Sequence, residues 1–309
     1  MKKLIVLLLA FAMAGAAFAA DEPKPALTFG FYGDVVANLY DSTAVDTGSW
    51  GGIYSETYFN YKAKDMAFSA TTVGGADFFA AVRNYSFSYN LMPDFGLKIL
   101  AGKLREGPNR IGSYIDGNGF STRSANVEEG VELYASKSGF TGAVFAPIGT
   151  NDYKVAASVG YAVPNLVTVV GGYRMVNKEL WVSADVKAVK GLTAKVGFRN
   201  VGTTNWIYAT AGSASLVEGI DVGLDANVVL ASGATDFGVK AKAELAMDPY
   251  AFGVIASFDS GADAWYKADG VTVNPYAVWN FAAGDIILGM TFDSKSGDIA
   301  IPLEFEVSF

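Results

Sequence analysis

Carboxylates, ammoniums, guanidiniums and hydroxyls carry whatever chemistry this chain can do, because its 309 residues include 31 Asp and Glu and 23 Lys and Arg but no His and no Cys. Those two absences remove Ser-His-Asp and Cys-His nucleophiles, His-ligated metals and disulfides in one step. A carboxylate pair could still act as acid and base, yet the acids here stand at alternate positions along strand-like stretches, where a carboxylate is a solvated wall residue. The chain is read as a non-enzyme with no cofactor and no nucleic-acid partner. Asp116-Gly117-Asn118-Gly119 offers oxygen donors at alternate positions and glycines for tight turning, as a calcium loop needs. Position 120 is Phe and no carboxylate closes the spacing, so the segment reads as an ordinary turn and no metal is assigned.

The charged residues keep a beat of two. In residues 237–247, Phe237, Val239, Ala241, Ala243, Leu245 and Met247 alternate with Gly238, Lys240, Lys242, Glu244 and Ala246. Asp185 and Lys187 likewise stand opposite Val182, Ala184 and Val186, and Lys195 and Arg199 opposite Ala194, Val196 and Phe198. Asp221 and Asp225 oppose Val222, Leu224 and Ala226, and Lys98 falls on the same wet face. Period two means strands with one greasy and one hydrated side.

The elements that position these residues follow from hydropathy. Mean hydropathy is +0.26, yet after the N-terminal segment no run of about 18 apolar residues could span a bilayer as a helix. Greasy residues spread at alternate positions satisfy their backbone in lipid only as a closed barrel. Lys2 and Lys3, the apolar run over residues 4–14 and Ala17-Phe18-Ala19 predict a cleaved signal peptide over residues 1–19. Residues 20–309 then form a single all-β domain, a transmembrane antiparallel β-barrel of about 18 strands by the pattern count. The alternative is 16 if a short pair near Gly74 or Ser213 is one feature. A barrel that wide leaves an aqueous channel, and the charged faces have the polarity to line it. Arg83 falls in phase with Tyr85, Phe87 and Tyr89 on the lipid side, where a guanidinium costs about 2–4 kcal/mol at mid-depth. Either a bulge shifts the register there or the strand emerges near the headgroups.

At the C-terminal end Ile301, Leu303, Phe305, Val307 and Phe309 alternate with Pro302, Glu304, Glu306 and Ser308. This resembles the bacterial outer-membrane β-barrel proteins, whose last strand ends in Phe and serves as a signal for the barrel-assembly machinery. Phe305, Val307 and Phe309 carry that likeness. The longest connection, residues 105–127 after the fifth strand, resembles in length and position the loop that general diffusion porins and maltoporin-like sugar porins fold into the lumen as a constriction. The resemblance implies an acidic rim at Glu106 and Asp116, with Arg110 and Arg123 as internal partners. It further implies an outer-membrane porin for passive diffusion of small hydrophilic solutes and ions, with membrane lipid and the assembly machinery as partners. A homotrimer is what general porins suggest, but their latch loop after strand three corresponds here to only residues 74–76, which leaves the assembly open. Two rival readings stand beside this one. The first is a structural or adhesive surface protein. The second is a substrate-specific channel, for which Tyr32, Tyr54, Tyr58 and Tyr134 would supply an aromatic track. The inward charges nearly balance, so only weak ion preference is expected.

Overall fold

The computed structural model describes residues 25–42, 52–75, 81–115, 117, 119–121, 128–148, 155–187, 189–260 and 270–308. The leader at residues 1–19, Asp116, Arg123 and Phe309 lie outside that set. No helix among the described residues is long and apolar enough to cross a membrane.

The alternating stretches are strands. In chain order they are β1 (Ala26–Asp41), β2 (Gly52–Lys62), β3 (Met66–Gly74), β4 (Ala81–Met92), β5 (Leu97–Leu104), β6 (Ile111–Gly112) and β7 (Gly119–Phe120). They continue as β8 (Glu128–Lys137), β9 (Phe140–Pro147), β10 (Ala156–Val163), β11 (Val167–Arg174), β12 (Glu179–Val186), β13 (Thr193–Val201) and β14 (Thr204–Val217). The last are β15 (Ile220–Ala231), β16 (Ala234–Met247), β17 (Tyr250–Asp259), β18 (Gly270–Phe281), β19 (Gly284–Gly289), β20 (Thr291–Asp293) and β21 (Ile299–Ser308). β6 and β7 pair only with each other, inside the connection from β5 to β8. The other segments form one 19-stranded antiparallel sheet. Because β19 and β20 run in line between β18 and β21, interrupted at Met290, the sheet has 18 staves. It closes on itself: Ala26 to Val36 of β1 pair with β2, and Tyr32 to Asp41 with β21. Among the described strands of this sheet, closure leaves no edge strand. Eighteen rather than sixteen holds because β14 and β15 are separate antiparallel strands joined across Glu218-Gly219, and β3 and β4 pair as two strands on either side of the connection after Gly74.

The two faces separate as the alternation predicts. In β12, Glu179, Trp181 and Ser183 are buried while Leu180 and Val182 are exposed. Outward rings cluster near the stave ends, Phe140 beside Tyr161 at one end and Phe237 beside Phe258 at the other. Arg83 resolves by the bulge. Thr71 pairs with Asn84 but Thr72 with Val82, so one residue drops out of the ladder. Its guanidinium is thereby turned inward onto Glu56 and the Tyr54 hydroxyl. At the end of the barrel holding both termini of the sheet, the connections are tight. Ser138 and Gly139, for example, both take positive φ (50° and 85°) in a two-residue hairpin.

Candidate functional site

Two clusters of buried apolar side chains lie inside the barrel, where the connection after β5 meets the wall. One cluster joins Ile111 and Phe120 of the β6–β7 hairpin to Val170, Trp181 and Tyr208 of the wall. Leu104, where β5 ends, is buried with Phe145 and Ala156. The connection therefore turns into the barrel, and a series of polar ties fixes it there. Asn109 donates its amide to Ser158 Oγ at 3.0 Å and accepts from the Thr141 hydroxyl. Tyr208 donates its hydroxyl to the Ile111 carbonyl at 2.6 Å, and its ring meets that of Phe120 edge-on at 5.5 Å.

Asp225 of β15 holds the loop by its main chain. It is 1% exposed, and its two oxygens accept the consecutive backbone N–H groups of Tyr114 and Ile115, each at 3.2 Å. The Thr210 hydroxyl also donates to Asp225 and itself accepts from Tyr114 N at 2.9 Å. A carboxylate taking two main-chain donors away from water makes charge-assisted bonds worth about 1.5–3 kcal/mol each. The Tyr114 ring lies flat on the wall because the residues beneath it have no side chain. A Cβ on Gly212 would stand 2.3 Å from that ring and one on the directly paired Gly223 2.8 Å. Its hydroxyl donates to Asp221 at 2.6 Å. Burial first, and the bond to Asp221 second, push the Tyr114 phenol up to about 12, so it remains a donor at neutral pH.

A second charged anchor sits one strand group away. Glu179, 1% exposed, accepts from Arg199 Nη2 at 3.2 Å and lies 3.5 Å from Arg174 Nη1. Arg174 reaches on to the Ser121 carbonyl at 2.8 Å. Arg199 also lies over the Trp206 and Phe120 rings, 4.9 and 5.7 Å from their centroids. Within the loop, Glu106 pairs with Arg110 at 2.9 Å, and Arg110 donates to the Gly117 carbonyl at 2.5 Å. Arg110 thus ties the base of the loop to its tip.

On the wall formed by β21, β1, β2 and β4 the inner face is arranged differently. Tyr32 donates to Asp34 and Glu306 at 3.2 and 3.0 Å, and Tyr54, Tyr58 and Arg83 all converge on Glu56. In register, Asp34, Glu306 and Asp285 form one row across three staves, with Glu304 one step away.

The residues singled out by the sequence fall as follows. Lys242 bridges Asp221 at 2.9 Å and Glu244 at 3.4 Å, and Glu244 accepts from Tyr276 at 2.5 Å. Lys240 stands directly opposite Asp225, and Lys195 opposite Asp185, whose carboxylate lies 3.8 Å from Lys187. Lys98 sits over the Tyr134 ring at 4.6 Å. Glu106 and Arg110 come together, whereas Asp225 is buried under the loop and Arg199, partly exposed, reaches the Phe120 ring beside it. Phe305 points outward, 44% exposed, opposite Val35. Sequence reasoning missed Asn109, Tyr114, Phe120, Glu179, Trp181, Tyr208 and Thr210. Their only advance signal was a polar, aromatic-bearing loop facing glycines at equivalent inward positions.

The described residues thus form a closed 18-stave antiparallel barrel with the connection between its fifth and sixth staves folded inside. Solved structures agree. A mutant of the porin from Rh. blastica superposes with a TM-score of 0.54 at 14% identity, covering 92% of this chain and all of that one. OccK3 (OpdO) from Pseudomonas aeruginosa gives a TM-score of 0.62 at 8% identity, covering 92% and 95%. No family model and no curated protein matches the sequence.

Proposed function

We propose that the chain is a bacterial outer-membrane porin through which small hydrophilic solutes and ions diffuse down their gradients, a channel rather than an enzyme. The observation that carries this reading is the contrast inside the barrel. The 105–121 segment is bound to one wall, while the wall opposite keeps half-buried carboxylates and tyrosines facing inward. The bound segment narrows the cross-section and so sets the size limit, with Glu106 and Arg110 at its base. Arg83, Arg174, Arg199, Lys187 and Lys242 on the wall are each matched by an acid at contact distance, which supports weak ion preference. The outward apolar face and its end rings fit membrane lipid, and the tight-turn end would face the periplasm. A cleaved leader and a terminal-strand signal ending in Phe309 would bring the chain to the assembly machinery.

The test is reconstitution of the purified protein into planar bilayers. Step-like conductance proportional to salt concentration is expected, and a folded barrel that inserts without conducting would overturn the reading. The edge-on approach of Tyr32 and Tyr54 on the inner face, 6.4 Å between centroids, places two rings side by side and motivates a substrate-specific channel as the second reading. Saturable block of the current by one class of sugar would select it.

A further inference from the structure

The outward face is not uniformly convex. Near the tight-turn end a groove of about 470 Å³ opens between the β4–β5 turn and the β8–β9 hairpin, walled by Met92, Phe95, Leu97 and Phe140. Its floor is low because small residues lie side by side there: Ala135 of β8 is directly opposite Gly142 of β9, which faces outward with nothing within 4 Å of where a Cβ would stand. The consequence shows on the next stave, where Val159, paired with Gly142, is left 68% exposed. The lining is almost entirely apolar, with Lys137 at one edge. The Lys137 ammonium lies 3.8 Å from the centroid of the Phe95 ring, and no carboxylate among the described residues pairs with it. A cation held at the mouth of a greasy slot, at the level where outward rings gather, complements a molecule with an apolar tail and an anionic head.

We propose that this groove is a binding site for a single glycerophospholipid, its acyl chain lying over Ala135 and Gly142 and its phosphate meeting Lys137. The inference rests on the membrane placement proposed above. The anionic head distinguishes such an occupant from ordinary solvating hydrocarbon, and the positive edge distinguishes it from a two-fold-related second copy of the chain, whose matching face would bring Lys137 against another lysine.

Native mass spectrometry of the full chain released from mild detergent, with phosphatidylglycerol as probe and diacylglycerol as the headless control, tests this. One phosphatidylglycerol should be retained and diacylglycerol should not. Gly142→Phe should abolish retention by filling the slot, and Lys137→Gln should weaken it about fivefold, with Lys137→Arg restoring it. Folding of each variant is checked by its heat-modifiable gel mobility; should Gly142→Phe not fold, Lys137→Gln and Lys137→Arg still decide. Equal retention of the two lipids, or indifference to Lys137→Gln, would overturn the proposal. So would oligomers that dissociate in Gly142→Phe. A wild-type chain that conducts in bilayers yet retains no lipid defeats this inference alone, whereas one that never inserts defeats the porin reading with it.

Discussion

Asp225 and Glu306 are both carboxylates on the inner face of the same barrel, reached by the same alternation, yet their surroundings have little in common. Asp225 is closed off under the loop with both oxygens committed to main-chain donors. Glu306 is half-buried and accepts a hydroxyl from Tyr32, with Asp34 beside it. The comparison extends along both walls. Under the loop, Trp181, Tyr208, Glu179 and Asn227 are all at most 3% exposed, while among the described side chains of β1, β2 and β21 Glu56 is the one buried polar group. Facing inward is therefore a property of strand register, whereas being wet is decided by what the connection covers.

The largest effect is expected where that comparison is made against the outer face. Val239→Lys, outward on β16, should destabilise the barrel in lipid vesicles by about 2–4 kcal/mol. Asn60→Lys, inward and exposed on β2, should unfold at nearly the wild-type urea concentration. Equal sensitivity would break the inside–outside assignment. Next, Asp225→Ala removes bonds worth about 1.5–3 kcal/mol each, so the loop should leave its seat and single-channel current should become larger and noisier. Glu306→Ala should leave the noise unchanged. Gly223→Val pushes a side chain into the Tyr114 ring and should produce the same noise to a lesser degree, with far-ultraviolet circular dichroism unchanged. The smallest effects are on selectivity. Glu304→Gln with Glu306→Gln should move the reversal potential in a salt gradient toward anions. Glu106→Gln should move it less, because Arg110 already neutralises that charge. A larger shift from Glu106→Gln would place the narrowest zone at the loop base.

Much of this fold was legible because a barrel repeats one rule. The split of residues 237–247 needed no partner information, and the stave count came out at about 18 because turns interrupt the beat, with strand pairing needed only to set aside 16. The bulge at Arg83 could be foreseen as one of two escapes from an unacceptable charge in lipid. The loop seat could not. Pairing of Gly212 with Gly223 depends on the register of two strands, and their service as a floor for Tyr114 depends on a ring about a hundred positions earlier in the chain. Asp225 read as a wall residue because sequence distinguishes in from out but carries no mark of what lies above a position. Tyr32, Tyr54 and Tyr58, considered as an aromatic track, instead direct their hydroxyls at carboxylates.

The distance along the chain between the loop and its ties also sets an order of events. Asn109 waits for Ser158, 49 residues on, Arg174 is 53 residues past Ser121, and Asp225 is 111 past Tyr114. None of these partners exists for the loop until β10, β11 and finally β15 have been laid down and the sheet has curled, and contacts of such separation form late. The newborn barrel is thus expected to pass through a stage that is closed but unfurnished, wider than the finished molecule. During that interval a protease reaching the lumen side should cut within residues 105–121, and resistance at those bonds should lag behind the appearance of the folded barrel on a gel.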